Sequence, residues 1–251
     1  MRESGGALDA GGDVGVDADV GVDVEVCVEA VVVMGGAFAD QAVPAVTGAL
    51  VICADSGVDH ARAWGLGVDL VIGDMDSVSA DGLAWAEEQG ADVDRHEPDK
   101  DQTDLELALQ AAQRLSAGGH VLVLGGAGGR LDHELANLAL LTSPRWSDLE
   151  LTAWIGTARV DVVRRHRSLI GVPGGVVSLL AWHGDATGVT TDRLKWGLAG
   201  ATVRAGSAIG TSNEYEADRA SVAVDRGVLT AITPNAPVVE HHLHIVPRSR
   251  P

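Results

Sequence analysis

The chain has 251 residues, and its 36 acidic against 18 basic side chains give a net charge of −18. A surface this acidic repels nucleic acid and anionic lipid, so neither is an expected partner. No apolar run approaches the roughly 18–20 residues that a membrane span requires, so no membrane association is expected. The two cysteines, Cys27 and Cys53, are too few for a disulfide framework. These properties predict a cytoplasmic protein with one or two domains.

Residues 1–28 are a low-complexity stretch built mainly from Val, Asp and Gly. The alternation of Val and Asp imitates a strand, and an edge strand is one interpretation. Low sequence variety and high acidity favour the other interpretation, a disordered acidic tail.

Between residues 29 and 157, short apolar runs alternate with segments of helical spacing. The runs are “AVVVM”, “ALVICA”, “DLVIGD”, “HVLVLGG” and “LELTAWIG”, and the helical segments include “SGVDHARAWGLG”, “SADGLAWAEEQG”, “TDLELALQAAQRL” and “RLDHELANLALL”. Continuous apolar runs with intervening helices predict an α/β domain with a doubly wound, mostly parallel sheet. Thr103 and Glu106 form a T-x-x-E capping box, which predicts that a helix begins at about Asp104.

Between residues 158 and 251 the pattern changes to short strand-like runs. They are separated by Gly, Asp and Asn, and they include “RVDVV”, “VVSLLAW”, “ATGVTT”, “ATVRAG”, “ASVAVD” and “VLTAIT”. Short strands at close, regular spacing predict a smaller all-β sandwich domain after the α/β domain.

Acidic residues follow several of the predicted parallel strands. Asp55, Asp74 and Asp132 each lie just past a strand, where open α/β sheets bind ligands. The segments “GDMDS” and “DKDQTD” add Asp76, Asp99, Asp101 and Asp104. Each of these residues alone is explained as a solvated turn or cap residue. Gathered in one crevice they would repel one another, and a Mg²⁺ ion would relieve that repulsion.

The segment “GGAGGRLDH” at residues 125–133 has the form of a strand, a glycine-rich turn and a helix. A glycine turn lets the backbone approach a ligand, and a helix N-terminus favours an anion. Gly128, Arg130, Asp132 and His133 are therefore candidate phosphate-binding residues. The segment matches neither the P-loop nor the complete dinucleotide fingerprint, and a tight strand-to-helix connection is the alternative interpretation.

Lys100 is one of only two lysines in the chain, beside Lys195. Its flanking residues, Asp99 and Asp101, allow an ordinary exposed ion pair. Beside a crevice that holds phosphate and metal, it can instead reach a phosphoryl group as a compact cation. Polyphosphate, Mg²⁺ and basic side chains together indicate phosphoryl-type transfer.

The predicted β domain contains few candidate binding residues. Trp196 is either a core residue or a surface for stacking on a flat or cationic ring. Ser212 and Asn213 either donate hydrogen bonds to a ligand or form a turn. His241, His242 and His244 in “HHLH” have no acidic or cysteine partner at useful spacing, so surface histidines are the preferred interpretation.

Six segments in order resemble the thiamine pyrophosphokinase family. They are “ADSG” at 54–57, “GDMDS” at 73–77, “DKDQTD” at 99–104, “GGRLDH” at 128–133, “TDRLKW” at 191–196 and “TSN” at 211–213. The resemblance covers about residues 30–230. It implies an α/β domain that binds ATP and Mg²⁺, a β-sandwich domain, and a homodimer that holds thiamine between subunits. It also implies transfer of pyrophosphate from ATP to thiamine, giving thiamine diphosphate and AMP.

The resemblance also implies roles for individual residues. Catalysis and Mg²⁺ binding would fall to Asp74, Asp76 and Asp104, with Lys100 as a further catalytic residue. The nucleotide would contact Asp55, Ser56, Thr103, Gly128, Arg130, Asp132 and His133. Thiamine would contact Trp196, Ser212 and Asn213.

The sequence departs from the family pattern at two positions. Ser56 stands where a second glycine is usual, and Lys100 stands where glutamine is frequent. Two alternative functions stay open. One is a pyrophosphokinase for another heteroaromatic, pterin-like alcohol, and the other is a non-catalytic regulator that binds nucleotide or thiamine.

Overall fold

The computed structural model describes residues 28–36, 48–97, 99, 101–116 and 118–236. The proposed acidic tail lies outside these residues except for Val28, which is buried. Lys100, Cys27 and the three histidines of “HHLH” also lie outside them.

The first half of the described chain forms six parallel strands in the order β4-β3-β2-β1-β5-β6. The strands are β1 Ala30–Met34, β2 Leu50–Ala54, β3 Leu70–Gly73, β4 Asp92–Arg95, β5 Gly119–Leu124 and β6 Leu149–Ile155. The helices are α1 Gly57–Ala63, α2 Ala80–Glu88, α3 Asp104–Leu115 and α4 Leu131–Leu141, followed by a 3₁₀ turn at Pro144–Trp146. Helix α3 begins at Asp104, which confirms the predicted start.

Alternate residues of the parallel strands face two separate hydrophobic cores. Val32, Ile52 and Ile72 pack with the buried side of α3. Val31 and Val51, on the opposite face, pack with α1 and α2. Because side chains alternate between the faces of a strand, burial on both faces explains why the strands read as continuous apolar runs.

The second half is rich in antiparallel strands. They are β7 Ala158–Val163, β8 His166–Ile170, β9 Val176–Asp192, β10 Ala201–Val203, β11 Asn213–Glu214, β12 Arg219–Ala223 and β13 Arg226–Thr233. Strand β7 pairs with β6, so the parallel strands continue into the β-rich half as one mixed sheet. The mixed sheet followed by a β-rich half confirms the fold prediction at this coarser level.

Two local predictions were wrong or incomplete. “VVSLLAW” and “ATGVTT” are not two strands, because both belong to β9. His183 has a φ of 58° and Gly188 a φ of 69°, so the chain bends within the strand, where a turn was expected. Strand β4 was missed because it is a short, polar edge strand without an apolar run.

None of the helices in the described residues combines the length and the apolar character that crossing a membrane would take.

Candidate active site

A cleft of about 690 Å³ lies at the carboxyl ends of the parallel strands. Its wall is formed by the ends of strands β1, β2 and β3 and by the starts of helices α3 and α4. Ten candidate residues from the predicted α/β domain line it: Asp55, Ser56, Asp74, Asp76, Thr103, Asp104, Gly128, Arg130, Asp132 and His133. Asp99 and Asp101 were also expected there, but both are exposed and neither lines the cleft. Lys100 lies outside the described residues. The topology therefore brings these residues together in one crevice.

Three carboxylates form the centre of the cleft. Asp55, Asp74 and Asp104 each place one carboxylate oxygen within 4.8 Å of the other two. Ser77 donates its hydroxyl hydrogen to Oδ2 of Asp55. Oδ1 of the same carboxylate is buried and has no hydrogen-bond partner among the described residues. A buried acceptor without a partner is costly, and a bound cation would satisfy it.

Backbone geometry sets the close approach of these carboxylates. Gly73 has a φ of 147°, in the region that favours glycine. A Cβ atom at Gly73 would lie 3.1 Å from Oδ1 of Asp104 and 3.3 Å from Cβ of Asp55. Glycine at this position therefore leaves room for the two aspartates on either side of the end of β3.

Asp76 adds a fourth negative charge at the exposed rim of the three-carboxylate cluster. Its backbone N–H donates to Oδ1 of Asp74 over 3.2 Å. Repulsion from Asp74 is the largest cause that raises the pKa of Asp76, and Asp55 and Asp104 add to it. Clustered oxygen ligands with excess negative charge are the chemistry that a hard divalent cation such as Mg²⁺ fits.

The glycine-rich turn and the start of α4 form the opposite wall. The Arg130 guanidinium binds the Asp132 carboxylate through two hydrogen bonds of 2.9 and 2.6 Å. This pairing lowers the pKa of Asp132 and raises the pKa of Arg130. The N–H of Gly128 donates to Oε1 of Glu134 over 3.1 Å. Carboxylates of the chain thus contact Gly128 and Arg130, two of the four residues that were predicted to bind phosphate.

Two sequence models that describe one family match the chain. “Thiamin pyrophosphokinase, catalytic domain” matches residues 46–153, and “Thiamin pyrophosphokinase, vitamin B1 binding domain” matches residues 160–229. Together the two ranges cover more than half of the chain. The chain belongs to the thiamine pyrophosphokinase family. The resemblance inferred from the six sequence segments is thereby confirmed.

Individual relatives agree with this assignment. The chain is 29% identical over 175 residues to Thiamine pyrophosphokinase 2 of Oryza sativa subsp. japonica, a match that covers 66% of this chain and 65% of that protein. The chain thus spans about 65% of the length of this curated relative.

Two solved structures share the fold. Thiamine pyrophosphokinase from Bacillus subtilis superposes with a TM-score of 0.70 at 23% identity, over 82% of this chain and 99% of that one. A family protein from Enterococcus faecalis gives the same TM-score and identity, over 83% and 100% of the two chains.

Ser56, one of the two departures from the family pattern, sits at the start of α1. Its hydroxyl group lies where a side chain at Gly35 would project, since a Cβ there would be 2.2 Å from the Ser56 oxygen. Gly35 therefore provides the space that the added hydroxymethyl group needs. Both residues line the cleft.

Residues that sequence reasoning did not single out also line the cleft, notably Ser77, Gln102 and Asn137. Gln102 donates to Oε1 of Glu106 over 3.1 Å, and Arg145 binds the same carboxylate. Ser77 was within the quoted “GDMDS” segment, so its position next to two aspartates was the available signal. Asn137 lies two helical turns into α4 and had no such signal.

The predicted thiamine residues lie in the β-rich half. Trp196 is exposed in the loop after β9, and Ser212 is exposed with a φ of 58°. Asn213 begins β11 and is buried. None of the three belongs to the described residues that line the cleft.

Proposed function

We propose that this family member is a thiamine diphosphokinase, which transfers pyrophosphate from ATP to the hydroxyl group of thiamine and releases AMP. The observation that carries the proposal is the cleft that gathers Asp55, Asp74 and Asp104 beside a glycine-rich turn. Acidic ligands for a metal and a helix N-terminus for phosphate belong together in phosphoryl-type transfer.

The carboxylate cluster fits Mg²⁺. The orphaned Oδ1 of Asp55 supports including Asp55 among the ligands, beside the expected Asp74 and Asp104. We keep Asp76 as an expected Mg²⁺ ligand because its carboxylate lies at the rim of the cluster, where Asp55, Asp74 and Asp104 repel it. When bound, the ion would screen negative charge on the pyrophosphate group during transfer.

The reaction moves one diphosphate unit. The hydroxyl oxygen of thiamine bonds to the β-phosphorus, and the bond from that phosphorus to the oxygen bridging the α-phosphate breaks. AMP keeps the bridging oxygen, and one proton leaves the hydroxyl group. We assign the binding of phosphate oxygens to Arg130, His133 and the start of α4, which line the cleft, and to Lys100.

Nucleotide binding at this wall requires an exchange of partners. Arg130 binds Asp132 through Nε and Nη2, so the Nη1 side of its guanidinium can bind phosphate while that pair persists, whereas Gly128 must release Glu134 before its N–H can bind phosphate. The hydrogen bond from Gly128 to Glu134 and the ion pair of Arg130 with Asp132 are both exposed, so water screens them and an exchange of partners costs little.

Thiamine carries a fixed positive charge, which an acidic cleft and a tryptophan face both attract. Trp196 and Ser212 lie outside the cleft of their own chain, so we propose that a second copy supplies them to it. Exposed apolar side chains support such a homodimer: Leu131 is 68%, Leu135 52% and Ile209 74% exposed. Analytical ultracentrifugation tests the dimer directly.

The finer fold and location predictions belong to the same proposal. Helices on both faces of the parallel strands support a doubly wound α/β domain over residues 29–157. The β-rich half supports a sandwich domain over residues 158–251. A cytoplasmic location is supported by the low cysteine content.

The deciding experiment mixes the protein with ATP, Mg²⁺ and a panel of alcohols. AMP and thiamine diphosphate should appear together when thiamine is the acceptor. Turnover with a pterin-like alcohol instead would reassign the acceptor, and ligand binding without AMP release would indicate a regulator.

A further inference from the structure

The loop that carries Trp196 is attached to the sheet through the side chain of Asn213. Asn213 is 6% exposed, whereas Trp196 is 53% exposed. The two residues are 17 positions apart in sequence and are joined by hydrogen bonds. A buried polar side chain next to an exposed aromatic one indicates a support for that aromatic residue.

The carboxamide of Asn213 binds both the backbone N–H and the backbone carbonyl oxygen of Trp196. Oδ1 of Asn213 accepts hydrogen bonds from the N–H of Trp196 over 3.0 Å and from the N–H of Glu214 over 2.9 Å. Nδ2 donates to the carbonyl oxygen of Trp196 over 2.9 Å. An amide side chain offers the acceptor and the donor on separate atoms that this arrangement requires.

The indole ring of Trp196 contacts the neighbouring Lys195, which Glu214 in turn binds. The Lys195 ammonium lies 4.8 Å from the centroid of the Trp196 ring, in a cation–π contact. The same ammonium binds Oε2 of Glu214 over 2.7 Å. Backbone contacts to Asn213 and a ring contact to Lys195 therefore fix Trp196 at both ends.

We infer that Asn213 is a positioning residue, which acts on thiamine through Trp196 and does not contact thiamine itself. The inference rests on the proposed function, because Trp196 is the residue assigned to stack on thiamine. It replaces the expected role of Asn213 as a direct thiamine contact. Ser212, whose side chain is exposed, keeps its role as a candidate contact.

Kinetics of Asn213→Asp and Trp196→Ala test the inference. Aspartate keeps the two acceptor contacts, but it replaces the donor to the Trp196 carbonyl oxygen by a second acceptor, which repels that oxygen. We expect the KM for thiamine to rise about tenfold, the effect of one lost hydrogen bond, while kcat and the KM for ATP change less than about twofold. In the Trp196→Ala background, Asn213→Asp should change the thiamine KM no further. If the two substitutions instead multiplied their effects on the thiamine KM, Asn213 would contact thiamine directly, and the inference would be overturned.

A matched control removes another hydrogen bond from the same loop. Thr191 accepts from the N–H of Leu198 over 2.8 Å, two residues after Trp196. Thr191→Val should leave the thiamine KM within about twofold. A rise equal to that of Asn213→Asp would mean that general loosening of the loop, not the positioning of Trp196, sets the KM.

Hydrogen exchange of residues 194–198 separates this inference from the proposed function. Exchange of the Trp196 N–H should be faster in Asn213→Ala, which removes its acceptor, than in the wild type without any ligand, and unchanged exchange would overturn the inference. If the wild type forms no thiamine diphosphate, the proposed function fails, and the exchange result then decides the inference alone. If Asn213→Asp does not fold, Asn213→Ser serves in its place, with the same expected directions.

Discussion

Ser77 donates its hydroxyl hydrogen to one oxygen of Asp55, and the other oxygen of that carboxylate is buried without a partner among the described residues. This arrangement orients Asp55 toward Asp74 and Asp104. The hydrogen bond leaves one oxygen for a cation, in the way that outer residues orient metal ligands in proteins.

Replacing Ser77 by Ala should weaken Mg²⁺ binding, because Asp55 would lose the group that orients it. Loss of such an outer contact typically costs about 10- to 100-fold in metal affinity. Titration of Mg²⁺ against the thermal unfolding midpoint measures the affinity without relying on turnover. Ser77→Thr keeps the hydroxyl group and should bind nearly as the wild type does. Equal titrations for Ser77→Ala and wild type would contradict this role.

Replacing Asp76 by Asn should stabilise the metal-free protein. The neutral side chain removes repulsion from Asp74, Asp55 and Asp104, which raises the pKa of Asp76 in the folded protein. The thermal unfolding midpoint in a chelating buffer should rise, and Mg²⁺ should raise it less than in the wild type. Asp218→Asn removes one negative charge at an exposed position, as Asp76→Asn does, and should leave the midpoint nearly unchanged. A lower midpoint for Asp76→Asn would count against a mutually repelling cluster.

Buried His120 should make folding stability depend on pH. Burial is the main cause that lowers the pKa of His120 from 6.5 to about 3; Arg167 and Arg159 also lower it, while Asp161 opposes them. The unfolded chain therefore binds a proton between these pH values that the folded chain does not. The associated stability is complete above pH 6.5 and is lost as the pH falls toward 3, by up to about 1.4 kcal/mol per pH unit.

Urea unfolding of the wild type and His120→Gln between pH 7 and pH 4.5 measures this contribution. The glutamine variant cannot bind the proton, so its stability should fall less steeply with decreasing pH. Parallel pH profiles for the two proteins would show that His120 does not contribute.

Arg164 should anchor the carboxyl-terminal end of α4. Its guanidinium donates to the carbonyl oxygens of Leu141, Thr142 and Ser143 over 3.2, 3.4 and 2.8 Å. Arg164→Met would leave these acceptors unsatisfied and should cost about 1–3 kcal/mol of unfolding free energy. The neighbouring Arg165 is exposed, so Arg165→Met is the matched control and should stay close to wild type. Chemical denaturation that gives equal values for both variants would contradict the anchor.

The sequence predicted the placement of the cleft because strand ends and a helix start are local features. Asp55 and Asp74 follow apolar runs, and Thr103 marks the start of α3 through its own hydroxyl group. The carboxyl ends of parallel strands meet at one edge, so these signals converge without knowledge of tertiary contacts.

Features that depend on contacts between distant segments were not predictable. The orphaned oxygen of Asp55 arises from burial at the cleft, and Asn213 at the start of β11 reaches Trp196 in the loop that follows β9. The bend within β9 also escaped prediction, because residues 183–185 resemble a turn while β13 continues to pair on both sides of them. Pairing across the sheet outweighs the local turn preference there.

The most direct test of the account follows ATP labelled in both its β- and γ-phosphates, incubated with the protein, Mg²⁺ and thiamine. We predict that both labels appear together in thiamine diphosphate, with one AMP formed for each molecule of product. Formation of ADP with singly labelled thiamine phosphate, or release of both labels to water without a thiamine product, would contradict transfer of an intact pyrophosphate group.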